Sequence, residues 1–128
     1  MKVLLDTCTA LWIALDSPEL SKRARALFED PDNAVFLSVV SAWEISVKFS
    51  LGRLPLPEAP DTWIPRLRER GRIESLPLEE RAALQLARLP ALHRDPFDRM
   101  LICQAIVEGM TIVTPDGDIR RYPVPTTW

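Results

Sequence analysis

This chain has one histidine, four glycines, two cysteines and no surplus of either charge, and each shortage closes off a class of chemistry. A single histidine, His93, excludes multi-histidine zinc centres. The glycines form neither a GxGxxG nor a GxxxxGKS phosphate cradle, so the common nucleotide-binding classes drop out. Cys8 and Cys103 lie far apart, make no CxxC pair and sit among apolar or small residues, which reads as two buried free thiols rather than a bridge. Sixteen Lys and Arg stand against eighteen Asp and Glu, a formal charge of -2, so no global basic field draws in a polyanion and such a partner must be met locally. No apolar run approaches the ~20 residues that cross a bilayer. The start Met1-Lys2-Val3-Leu4-Leu5 turns acidic at Asp6 before a signal-peptide core could form, so the expectation is no membrane and a cytoplasmic location.

What is present is a chain of 128 residues, 47% hydrophobic, sized for a single domain over 1–128 with one core. Val3-Leu4-Leu5 is a wholly apolar, β-prone run of the kind buried on both faces of a parallel sheet. Thr7 can cap a first helix through Leu11–Leu15, and Ser17-Pro18-Glu19 reads as the start of a second that runs through Phe28. Ala34–Ser38 reads as a second strand, followed by a helix over Ser41–Leu51 that Gly52 ends. Prolines 55, 57 and 60 mark a loop, Asp61–Arg70 an arginine-rich helix closed by Gly71, and Ile73–Leu76 a third strand. Leu78–Leu89 and Pro96–Val107 carry helical patterns, Gly109 stops the latter, and Thr111–Val113 is a fourth strand. The proline-bearing tail from Tyr122 suits an edge strand. This alternation predicts a three-layer α/β/α sandwich around a mostly parallel sheet of four to five strands.

In open α/β sheets ligands bind beyond the carboxyl ends of the strands, and the sequence places acids there. Asp6 follows the first strand, Glu44 lies early in the helix after the second, Asp98 in the first turn after Asp95-Pro96, and Asp116 just past the fourth strand. Four crowded carboxylates repel one another unless a cation neutralises them, and hard oxygen donors select Mg2+ or Mn2+. Each acid also has a structural reading. Ser41-Ala42-Trp43-Glu44 is a capping box, Asp95 and Asp98 suit a helix start, Asp116-Gly117 is a turn pair, and Asp6 can cap the helix it precedes. Their joint occurrence at one sheet edge is what favours function. Arg94 and Arg99 bracket Asp98 and are placed to meet phosphates, whereas Arg66, Arg68, Arg70 and Arg72 read as a solvated face. Trp12, Trp43 and Trp63 read as core or interface, and Leu54, Leu56 and Trp63 as exposed apolar candidates around the proline loop.

The segments Val3–Thr7, Ser38–Ile45, His93–Arg99 and Thr114–Asp116 closely resemble, in order, the motifs of PIN-domain ribonucleases, above all the VapC-type toxins of toxin–antitoxin pairs. The resemblance covers essentially the whole chain. It implies a metal-dependent endoribonuclease in which Asp6, Glu44, Asp98 and Asp116 surround one or two Mg2+ or Mn2+ ions, with Asp6 and Asp98 as primary ligands and Thr7 and Thr114 assisting. Asp116 is preferred over Asp118 as fourth acid. A single-stranded or looped RNA substrate, a cognate antitoxin whose helices lie near the proline loop, and a homodimer also follow from the likeness.

Other readings fit less well. A haloacid-dehalogenase-like phosphatase needs an aspartate where Cys8 stands, a receiver domain needs paired acids in the first loop, and a Ser-His-Asp hydrolase would use His93 without a GxSxG elbow. The remaining alternative is a PIN-like module that binds RNA or protein without cutting.

Overall fold

The computed structural model describes residues 1–128. Five strands, β1 (Lys2–Leu5), β2 (Ala34–Ser38), β3 (Glu74–Leu76), β4 (Thr111–Val113) and β5 (Thr126–Thr127), form one sheet in the order β3-β2-β1-β4-β5. Every pairing is parallel, with Leu5 opposite Leu37 on one side and Val113 on the other. Six helices connect them: α1 (Thr7–Ala14), α2 (Lys22–Glu29), α3 (Val39–Ser50), α4 (Pro60–Gly71), α5 (Glu80–Gln85) and α6 (Pro96–Glu108). Short 3-10 turns cover Leu86–Arg88 and Ile119–Arg121. The expected sandwich is what forms, and the tail does supply the edge strand.

Period-two alternation divides the core. Val3, Leu5, Val35, Leu37 and Val113 face one layer, where Ala10, Ala24, Ile64 and Leu67 close over them. Leu4 and Ile112 face the other, against Leu101, Ile102, Ala105 and Tyr122. Strands buried on both sides must be apolar throughout, which is why the sequence shows short continuous runs rather than polar alternation.

Several helix ends differ from the sequence reading. Of the two caps the sequence offers for α1, Asp6 and not Thr7 takes the role, accepting from the Thr9 amide. Ser21, not Ser17, caps α2, accepting from the Ala24 amide at 3.0 Å, and Ser17-Pro18-Glu19 forms only a turn. α3 starts directly after β2 because Ser38 accepts from the Val40 amide, so Ser41 and Glu44 lie inside the helix and form no capping box. Gly71 ends α4 without the left-handed backbone a glycine stop implies; Arg72 adopts it at φ 53°. A Cβ on Gly71 would come within 3.0 Å of Phe28 and Ile73, so glycine serves close packing there. Gly109 is a left-handed stop at φ 66°. Cys103 is buried but Cys8 is exposed, which corrects half of the thiol reading, and both are free. Leu54 and Leu56 are half-buried against the core and Trp63 is buried, so none of the three is exposed; Val39 and Trp43 on α3 and Leu51 just past its end are among the apolar residues that are. No helix is long and apolar enough to cross a membrane.

Candidate active site

The chain runs outward from β1 to β2 and β3, then returns to lay β4 and β5 on β1's opposite side. β1 and β4 stay paired to their carboxyl ends while the segments that follow them pack on opposite faces of the sheet, the switch point at which parallel sheets open a crevice. Asp6 leaves the end of β1 and Thr114 the end of β4.

Asp6 is 4% exposed and fully engaged. Its Oδ1 accepts from the Thr9 amide at 2.7 Å, and its Oδ2 accepts a short hydrogen bond from Thr114 Oγ1. Burial pushes its pKa up, the Thr114 and Thr9 donors pull it back, and the Asp116 charge adds to the rise. Thr114 is fully buried and also accepts from the Asp116 amide at 3.0 Å, so one hydroxyl ties the first acid to the fourth. Asp116 Oδ1 receives the Asp118 amide at 2.8 Å. Asp118 itself is exposed and faces Arg121 at 3.5 Å. Asp116 is thus the acid whose charge reaches Asp6 and Asp98.

Glu44 is 5% exposed on the inner side of α3. Thr7 Oγ1 donates to its Oε1 at 2.6 Å and lies 2.9 Å from Ser41 Oγ, while Lys48 Nζ meets its Oε2 at 2.5 Å. Lys48 has its pKa raised first by that hydrogen bond and further by the charges of Glu44, Asp95 and Asp98. It is the ammonium that faces the acids, one helical turn from Glu44, and its Glu-x-x-x-Lys spacing was readable in the sequence.

Asp98 sits in the first turn of α6 behind the Asp95 cap. His93 Nε2 lies 3.1 Å from its Oδ2. Burial raises the Asp98 pKa to about 6; the His93 hydrogen bond opposes this, and the charges of Asp95, Asp116 and Glu44 add to it. Cys8, near Asp6, is exposed yet partly desolvated by its surroundings; that desolvation and then the neighbouring carboxylates push it up to about 11, which keeps it a thiol.

The four acids lie at one edge, where Asp116 bears on both Asp6 and Asp98 and Glu44 bears on Asp98, but no three of them are drawn close enough to make a finished ligand set. The basic residues divide. Arg94 is exposed beside the site, whereas Arg99 turns inward, with Nη2 3.4 Å from the Leu89 carbonyl and Nε buried without a partner. Arg68 leaves the expected solvated face to bond the carbonyls of Leu37 and Glu74 at 3.0 and 2.9 Å. Trp43 is 58% exposed next to Glu44 and packs edge-to-face on Phe97, neighbour of Asp98. A separate cavity of about 490 Å³ opens between α1, α2 and α4, floored by Ile13, Phe28 and Trp63 and rimmed by Arg66 and Arg70.

A parallel α/β/α domain with buried carboxylates around its β1–β4 crevice is the class these features define. The chain belongs to the PIN-domain family, whose model matches residues 3–125. It is similar to ribonuclease VapC22 of Mycobacterium tuberculosis, 29% identical over 127 residues that make up 98% of this chain and 96% of that protein. Ribonuclease VapC16 of the same organism is 44% identical over 48 residues, 37% of this chain and only 34% of its own length. Among solved structures, the crystal structure of VapBC2 from Rickettsia felis bound to a DNA fragment from their promoter shares the fold. Its TM-score is 0.75 over 99% of this chain and 98% of that one, at 16% identity.

Proposed function

We propose that this protein is a divalent-cation-dependent endoribonuclease acting in the cytoplasm as the toxin of a toxin–antitoxin pair. The observation that carries the reading is the meeting of Asp6, Glu44, Asp98 and Asp116, from four separate stretches, at one crevice where Lys48 is the facing ammonium. Membership of the PIN-domain family and the likeness to ribonucleases VapC22 and VapC16 support it.

The donor set suits a hard cation. It consists of carboxylate oxygens, with no thiolate, and its one histidine already faces Asp98. Asp6 and Asp98 would be the primary holders of Mg2+ or Mn2+, with Glu44 and Asp116 completing the set. Such an ion, when bound, lowers the pKa of water and neutralises charge on the attacked phosphate. The chain's own residues prepare this: Thr114 and Thr9 favour ionised Asp6, Thr7 and Lys48 orient Glu44, and exposed Arg94 meets the RNA backbone.

An antitoxin partner is proposed on the likeness to the VapBC structure. The cavity between α1, α2 and α4, lined by apolar side chains together with Arg70 and the Arg66–Glu58 ion pair, has the chemistry to take an amphipathic segment of that partner. A homodimer is proposed as the assembly, the exposed Val39 and Trp43 of α3 with Leu51 just past its end being its candidate face.

A non-catalytic binding module draws on one feature, the absence of a finished ligand set. Purified protein incubated with single-stranded RNA decides between the two. Cleavage that needs Mn2+ or Mg2+, stops with chelator and falls at least about 100-fold in Asp6→Asn is expected. RNA binding without cleavage in saturating metal supports the module, and full activity in Asp6→Asn removes Asp6 from the site.

A further inference from the structure

His93 is the chain's single histidine, and the metal chemistry proposed for the acids leaves its ring unused. It lies in the loop between the 3-10 turn at Leu86–Arg88 and α6. Tyr122 reaches this loop from beyond β4 and is 4% exposed. The Tyr122 hydroxyl accepts the backbone amides of Leu92 at 3.2 Å and His93 at 3.1 Å, and lies 2.8 Å from His93 Nδ1. Arg121 holds the same loop through the Leu92 carbonyl at 2.9 Å.

A phenolic oxygen has two lone pairs and one hydrogen. Both lone pairs are taken by amide N–H groups, so the hydrogen goes to Nδ1, which must accept it as a lone pair. The neutral imidazole then carries its proton on Nε2, 3.1 Å from Asp98 Oδ2, where it can only donate. A loop clamp alone would need the Tyr122 hydroxyl and the backbone amides; nothing in it requires an imidazole or its bond to Asp98.

We propose that Tyr122 and His93 act as a positioning pair for Asp98. Tyr122 selects the Nε2–H tautomer of His93, and His93 holds one carboxylate oxygen so that the other is presented to a divalent cation. This role rests on the nuclease reading and deepens it: neither residue touches substrate, and both act through Asp98. Groups that hydrogen-bond the ligands of a metal commonly change affinity or activity by about 10- to 100-fold when removed.

The first test needs no variant and no metal. With one histidine in the chain, a long-range 1H–15N spectrum at about pH 8, above the ordinary imidazole pKa, reports His93 alone. The Nε2–H tautomer is expected; an Nδ1–H tautomer or an even mixture overturns the proposal. Tyr122→Phe is expected to give the mixture. Calorimetric Mn2+ affinity should fall about 10- to 100-fold in His93→Ala and recover in His93→Gln, whose amide still donates to Asp98. The turnover rate for RNA should follow the same order with KM little changed. His93→Ala matching wild type in Mn2+ affinity and cleavage, while wild type does both, overturns this role alone. A wild-type chain that neither binds Mn2+ nor cuts RNA overturns the nuclease reading and this role with it.

Discussion

Asp6 is held between opposed effects: burial disfavours its charge, while Thr114 and Thr9 donate to it. In the metal-free fold an ionised Asp6 is therefore a net liability, and Asp6→Asn is expected to melt at or above the parent temperature while losing cleavage. A circular-dichroism melt beside the RNA assay checks both halves. Asp98 gives the pH counterpart. Its value rises from 3.8 to about 6, so the folded state binds that proton more tightly than the unfolded chain does. The stability it contributes is complete below about pH 4 and is lost as pH climbs through about 6. The melting temperature of metal-free Asp98→Asn should exceed the parent's by a margin that grows from pH 4 to pH 7, on the order of 5 °C at the upper end. Added Mn2+ should narrow that margin by stabilising only the parent. These acids were legible one by one, because an acid closing an apolar strand is visible in sequence. The buried hydroxyls of Thr9, which donates to the Val113 carbonyl, and Ser41, which meets Thr7, were not, since a small polar residue reads alike whether it faces water or the interior.

Helix starts show how local signals compete. Ser41 and Glu44 have the spacing of a capping box, yet Ser38 caps α3. Ser38 also donates to Gln104 Oε1 at 2.5 Å, and Gln104 Nε2 donates to the Pro77 carbonyl at 3.2 Å. That buried bridge joins α3, α6 and the end of β3, and it settles the choice of cap from far along the chain. Gln104→Leu would strand a buried hydroxyl and a carbonyl, so a loss of about 1–3 kcal/mol is expected from urea unfolding. At the other end of α6, Gly109 is left-handed and a Cβ there meets nothing within 4 Å. Gly109→Ala should cost about 1–2 kcal/mol from backbone strain alone, with cleavage unchanged. Gly109 and Gly71 were both readable as stops, but the reason for glycine at 71 was not, because its close packing involves Phe28, far from it in sequence.

Across the whole molecule the charge is nearly balanced, and the crevice itself carries carboxylates, so the RNA of the proposed function would be drawn in by nearby cations. Arg94 is exposed there and Arg99 is not. Arg94→Glu is expected to weaken RNA binding and flatten the slope of log affinity against log salt by about 0.7 for each phosphate that is no longer neutralised, read from filter binding across a salt series. Arg99→Ala should leave that slope unchanged. Sequence proximity to Asp98 suggested equal roles for the two arginines, and the packing of α6 against the Leu89 loop separated them.

By itself the sequence determined the layered parallel sheet and the acids at its carboxyl edge. Both follow from patterns within a few residues: apolar runs that need cover on two faces, and charges that end them. Tertiary structure alone decided which serine caps α3, which arginine meets solvent and which proton His93 carries. Each of those depends on hydrogen-bond partners and burial supplied by segments distant in the chain, and no local pattern encodes them.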